Sequence, residues 1–164
     1  LGILRLLFRT GILSYLLPEI TEDMLSQSHE FSLSLERADE LTLGGEGPPS
    51  TIVLALMALF AKTELFFEGA SSGELSDEEI REHVKSFFAE LMVPRKEKER
   101  VEGMLAIWLR LSRQQSVRGS SLRYDDRPYL DDVFWLLKLL PETPTDRMIF
   151  KALEKAKTDL SNRP

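Results

Sequence analysis

The sequence has no cysteine and only two histidines among its 164 residues. Without a thiol there is no disulfide framework, no thiolate zinc site and no cysteine nucleophile, and nothing supports secretion. Long apolar runs are missing too. The longest, residues 52–61, has ten members, about half of the roughly 20 needed to span a bilayer; it predicts a buried core helix and no membrane partner. Leu1 opens inside an apolar periodic pattern, with neither an initiator Met nor the charged, apolar and small-residue succession of a signal peptide. That start predicts a piece of a longer, cytoplasmic protein.

What is present suffices for a core. Hydrophobic residues make up 43% of the chain, and chains of about 150 residues bury roughly 68–70% of their unfolded surface, so disorder is excluded. The 21 basic and 27 acidic side chains give a net charge of −6, which as a single number argues weakly against a nucleic-acid partner. The sign, however, changes along the chain: residues 1–94 carry −10, residues 95–123 carry +5 and residues 124–164 carry −1. Such asymmetry points to a basic surface on an acidic body.

Nearly every segment has helical periodicity. Leu4, Leu7, Phe8, Ile12 and Tyr15 form one apolar stripe that Pro18 ends, and Thr21 or Glu22 opens another element. From Ser26 to Leu43 the spacing mixes strand and helix, and the helix formers Glu36, Arg37, Ala38 and Glu40 favour helix. Residues 44–49, Gly-Gly-Glu-Gly-Pro-Pro, are the clearest break. Ser50 or Thr51 then caps a helix to about Glu68, apolar on all sides at first, as a central helix is. Ser76-Asp77-Glu78-Glu79 fits a capping box, followed by Ile80, Val84, Phe87, Phe88 and Leu91 on a buried face. After the Val93-Pro94-Arg95 turn, Val101, Met104, Leu105, Trp108 and Leu111 face inward, opposite Glu99, Glu102, Ala106, Arg110 and Arg113. Pro128 starts a helix through Leu140, and Thr145-Asp146 caps a last one with Met148, Ile149, Ala152 and Leu153 inside. The expected fold is all-α, an irregular multi-helix bundle around a central apolar helix at about 52–68. Residues 1–144 form the body, and 145–164 a C-terminal helix packed on it or partly disordered.

Candidate chemistry is sparse. His29 and His83 lack any HxxxH, HExxH or nucleophile-elbow context and read as surface residues. Asp125-Asp126 and Asp131-Asp132 could hold a divalent cation, although acids flanking the Pro128 helix serve better as caps and complements to its macrodipole. The Gly44–Gly47 stretch lacks a following Lys-Ser/Thr and reads as a connector. The basic segment stands out: Arg95, Lys96, Lys98, Arg100, Arg110, Arg113, Arg118, Arg123 and Arg127 interleave with Trp108, Tyr124 and Tyr129. Several cations on one surface suit phosphates, and aromatic faces suit stacked bases. Against this, Glu97, Glu99 and Glu102 lie at pairing distances of three and four along the helix, and Trp108 falls on the apolar stripe.

A longer pattern then emerges. Arg5-Leu6-Leu7-Phe8-Arg9-Thr10-Gly11-Ile12-Leu13, Leu17-Pro18-Glu19-Ile20, Pro48-Pro49 before an apolar helix, Met92-Val93-Pro94-Arg95, Ile107-Trp108, an Arg-rich run and Arg127-Pro128-Tyr129 occur in that order. Over residues 1–141 the chain resembles the C-terminal helical region of bacterial poly(A) polymerases, relatives of the tRNA CCA-adding nucleotidyltransferases. The resemblance implies a non-catalytic, RNA-binding body, inactive alone. A preceding head, with a Gly-Ser motif and a DxD pair absent here, would add AMP from ATP with Mg²⁺ to RNA 3′ ends; no cofactor belongs to this region itself. Family basic positions match Arg95, Lys96, Arg113 and Arg118, and the expected RNA contacts are these with Arg110, Arg123 and Arg127. The dense family run Arg-Arg-x-Gly-Lys-Arg is thinned here to Arg113-Gln114-Gln115-Ser116-Val117-Arg118-Gly119, and the highly basic tail is missing.

The competing expectation is a protein-interaction module. In it the acidic body, an exposed part of the first helix or the 145–164 helix docks on another domain or subunit, the head or a second copy among them. A free-standing enzyme is a third, marked by metal at Asp125, Asp126, Asp131 or Asp132.

Overall fold

Gly11 divides the first apolar stripe in two. In the computed structural model, which describes residues 1–27, 29–63, 66, 76–113, 128–141, 150 and 153, α1 (Gly2–Arg9) and α2 (Ile12–Leu16) meet at Gly11, whose φ of +76° is left-handed. Glycine adopts that conformation without a Cβ penalty. The break resets the helical phase. Leu4, Leu7 and Phe8 still pack against the core, but Ile12 and Tyr15 turn outward and Leu13 and Leu17 are buried in their place. The single stripe expected from spacing is therefore corrected to two short helices with different inward faces.

The element expected after Pro18 is one 3₁₀ turn, Asp23–Leu25, which buries Met24 and Leu25. Helix α3 (Glu30–Leu43) starts at His29, whose Nδ1 accepts the Phe31 N–H at 3.1 Å. Its inward face explains the mixed spacing: Phe31, Leu35 and Ala38 share it with Ser32 and Ser34. Those hydroxyls are satisfied, Ser32 donating to Met24 O (2.8 Å) and Ser34 to Glu30 O (2.9 Å), so their burial costs little.

The connector at 44–49 folds back on α3. Glu46 N–H donates to Leu41 O at 2.9 Å, Gly45 has φ +85°, and a Cβ on Gly47 would lie 2.7 Å from Thr42 Oγ1. The glycines serve a tight turn. Helix α4 (Ser50–Ala61) then buries Ile52, Ala55, Leu56, Met57, Ala58, Leu59 and Phe60, and it packs against α3 and three later helices. It is the centre of the bundle. Helix α4 ends at Ala61, where Lys62 leaves helical dihedrals (φ −137°, ψ 63°); Glu68, the expected end, lies outside the described residues.

Helix α5 (Asp77–Phe87) has its full capping box: Ser76 Oγ accepts from Glu79 N–H (3.3 Å) and Glu79 Oε2 accepts from Ser76 N–H (2.7 Å). Helix α6 (Arg95–Arg113) follows Pro94 and is the longest described. Val101, Met104, Leu105, Ile107, Trp108, Leu109 and Leu111 are all buried, and α6 packs against α4, α5 and α7 (Leu130–Leu139). The C-terminal segment contributes Phe150, stacked on Phe134 at 4.4 Å between centroids, and the buried Leu153; Met148, Ile149 and Ala152 lie outside the described residues. Among the described residues there is no strand, and the seven α-helices form an all-α bundle.

Candidate nucleic-acid interface

Helix α6 sorts its cations by what they touch. Arg95, in the first turn, is exposed and donates to Glu99 Oε1 at 2.7 Å; this i,i+4 pair is solvated and holds the guanidinium only weakly. Lys96 beside it is exposed. Lys98 donates to Phe88 O (3.0 Å), the C-cap of α5, where an orphan carbonyl needs a partner. Glu97 accepts from the buried Thr51 hydroxyl and ties α6 to the first turn of α4.

Arg100 is spent differently. Its Nε and Nη2 grip Asp132 Oδ2 (2.6 Å) and Oδ1 (2.8 Å) in a bidentate fork, a geometry that lysine could not supply. The Asp132 side chain is 3% exposed and that of Arg100 44%. The hydrogen bond to Asp132 raises the Arg100 pKa further above its ordinary value, so the guanidinium stays charged. Asp132 sits in the first turn of α7, as a dipole-complementing acid should, but both its oxygens serve Arg100. That corrects the simple capping role. Among the described residues no group of three or more His, Asp or Glu is arranged to hold a metal, and Asp125 and Asp126 lie outside them.

One turn from Arg100, Gly103 lets α6 receive the half-buried Tyr129 ring. A Cβ at Gly103 would come within 2.7 Å of the ring Cζ. Arg100–Asp132 and Gly103–Tyr129 therefore seat the start of α7 against the middle of α6. Gly103→Ala should lower stability by about 1–2 kcal/mol, overpacking against the ring outweighing the helix-propensity gain of roughly 1 kcal/mol. In a Tyr129→Ala background the same substitution should stabilise. Urea midpoints at constant m-value report the sign reversal; equal effects in both backgrounds would show that the ring is not the obstacle.

The expected contact residues thus fall at the two ends of α6. Arg95 and Lys96 are at its start, whereas half-buried Arg110 and the terminal Arg113 are about 22 and about 27 Å along, at 1.5 Å of rise per residue. Arg118, Arg123 and Arg127 lie outside the described residues, as does Tyr124. Trp108 is core and presents no stacking face. What spacing along α6 did not reveal is that Lys98 and Arg100 are structural, since their partners come from other helices.

The histidine reading also needs correction. His29 is half-buried and caps α3, and His83 is buried between α4 and α5. The His83 Nε2–H donates to Ala58 O at 2.7 Å, one of the last four carbonyls of α4, and its ring lies against Phe66 and Phe87 at 5.5 and 5.9 Å. Ile80, His83, Val84 and Phe87 follow the i, i+3, i+4, i+7 rule of a buried face, a signal that could have placed it. Beside it an open cleft of about 380 Å³ is lined by Lys62, Glu79, Glu82 and Ser86.

Burial pushes the His83 pKa below 6.5; the Ala58 carbonyl opposes this, Lys62 adds to it and Glu19 opposes it. The unfolded chain therefore takes up this proton first as pH falls. Stability is full above pH 6.5 and is lost as pH falls from 6.5 toward the lower folded value. Urea unfolding at pH 7.5 and 5.5 should show a smaller loss for His83→Gln, which keeps a donor but no titrating group; superimposable profiles would contradict the assignment.

No family model, curated protein or solved structure matches this chain. Among the described residues no helix is long and apolar enough to cross a membrane.

Proposed function

We propose that this chain is the non-catalytic, RNA-binding body of a poly(A) polymerase-type nucleotidyltransferase, cytoplasmic and inactive without its catalytic head. In this reading Mg²⁺ and ATP belong to the head, which would carry the Gly-Ser and DxD motifs. The ordered resemblance over residues 1–141 is what supports this reading.

The observation that supports RNA as the ligand is that Arg95 and Lys96 are exposed at the start of α6, where the most basic stretch of the chain, residues 95–123, begins; several cations on one surface suit a phosphate backbone. The reading assigns the phosphate contacts to Arg95, Lys96, Arg110, Arg113, Arg118, Arg123 and Arg127.

Fluorescence anisotropy with labelled oligo(A) tests it. Arg113→Ala and Arg118→Ala should each weaken binding severalfold at low salt, while Lys85→Ala, at an exposed position of α5, should leave it unchanged. Equal affinities for all three, or no binding by the parent chain, would overturn the reading.

A further inference from the structure

Helix α7 carries aromatic rings that the core does not use up. Phe134 and Trp135 are only half-buried, and Phe150 stacks on Phe134 with centroids 4.4 Å apart and ring planes 27° apart. The exposed Lys138 lies over both α7 rings, its Nζ 4.7 Å from the Trp135 centroid and 5.1 Å from that of Phe134. These contacts join the three rings and the ammonium into one continuous surface. They also identify its open side: an exposed ammonium stays hydrated, so the Trp135 face beneath it looks toward solvent. The Trp108 ring, by contrast, is enclosed in the core.

The packing of α7 sets where that face lies. Tyr129 meets Gly103 and Asp132 grips Arg100, so α7 runs antiparallel to α6 and each step along it moves toward the start of α6. Trp135 is one turn past Asp132, in the direction of the exposed Arg95 and Lys96. Chemistry and charge together select the occupant. A free cation suits a π face but is repelled by Lys138, Arg95 and Lys96, whereas a nucleotide brings a flat base together with a phosphate. The long stem of Lys138 lets it swing aside, and a stacked base outweighs the solvated cation–π contact that it displaces. We propose that Trp135, backed by Phe134, is a stacking platform for one base of the bound RNA. This rests on the RNA-binding reading and adds to it a base contact that its cations do not supply.

The chain has two tryptophans, and Trp108 is buried, so intrinsic fluorescence reports on Trp135. Oligo(A) should quench that fluorescence, and Trp135→Phe should remove the quenching while keeping most of the affinity. Trp135→Leu should weaken oligo(A) binding by about fivefold or more with an unchanged salt slope, and should bind an abasic oligomer of the same length as the parent does. If Trp135→Leu loses helical circular dichroism, quenching in the unaltered protein still decides. Oligo(A) binding without quenching overturns the proposal. So does an equal loss for the abasic oligomer, or a doubled mass in sedimentation that Trp135→Leu abolishes. In those cases Arg113→Ala and Arg118→Ala would still weaken oligo(A) binding; a parent chain that binds no oligo(A) fails the RNA-binding reading itself and takes this proposal with it.

Discussion

Leu56→Ala should destabilise the protein by about 3–5 kcal/mol, the range for truncating a fully buried leucine where the surroundings close only partly on the cavity. Leu56 has 0% exposure at the middle of α4, and α4 is the helix against which α3, α5, α6 and α7 all pack. Collapse around the missing methyl groups would require several helices to move at once, so the cost belongs in the upper part of the range. Leu54, on the same helix but only half-buried, is the internal comparison. Leu54→Ala should cost clearly less. Urea midpoints with unchanged m-values decide it, since a changed m would mean an altered denatured or native state in place of a simple loss of stability. Equal costs would mean that α4 is not the centre of the packing.

The second large effect is at the α6–α7 junction. Arg100→Ala leaves the Asp132 carboxylate buried without its bidentate partner, and breaking a buried pair from one side costs about 3–5 kcal/mol. Two features reduce that figure: Arg100 is 44% exposed, so water replaces part of the interaction, and Asp132 lies in the first turn of α7 where the helix dipole favours an anion. About 2–4 kcal/mol remains. Replacing both partners by apolar residues, Arg100→Met with Asp132→Leu, should recover most of the loss, because no charge is then left stranded. A double-mutant cycle measures the coupling; additive single effects would show that the fork contributes nothing beyond its separate parts.

Local signals accounted for most of the helices. The capping box at Ser76 and Glu79, the turn at Pro94 and the all-round apolar run at 52–61 each specify structure within a few residues, and each element forms where its signal lies. Misreadings arose where a partner is distant or a single dihedral matters. Gly11 looks like any glycine in a helical pattern, yet its left-handed φ shifts Ile12 and Tyr15 outward. His83 stands among Glu82, Lys85 and Glu79 and reads as surface, although the periodicity through Ile80, Val84 and Phe87 places it inside. Arg100 resembles its basic neighbours in every local respect; its partner Asp132 is 32 residues away on another helix. The basic composition of residues 95–123 was legible, but its division into structural cations, Lys98 and Arg100, and exposed ones, Arg95 and Lys96, depends on packing between α5, α6 and α7.

The RNA-binding account is tested most directly by the salt dependence of oligo(A) binding. Each phosphate contact on a single strand contributes a slope of about −0.7 in log K against log salt. The account predicts a linear plot with a slope of up to about −5, roughly 0.7 for each of its assigned cations, less steep by about 0.7 in Arg113→Ala and again in Arg118→Ala. A salt-independent affinity, or a slope that neither substitution moves, would contradict it.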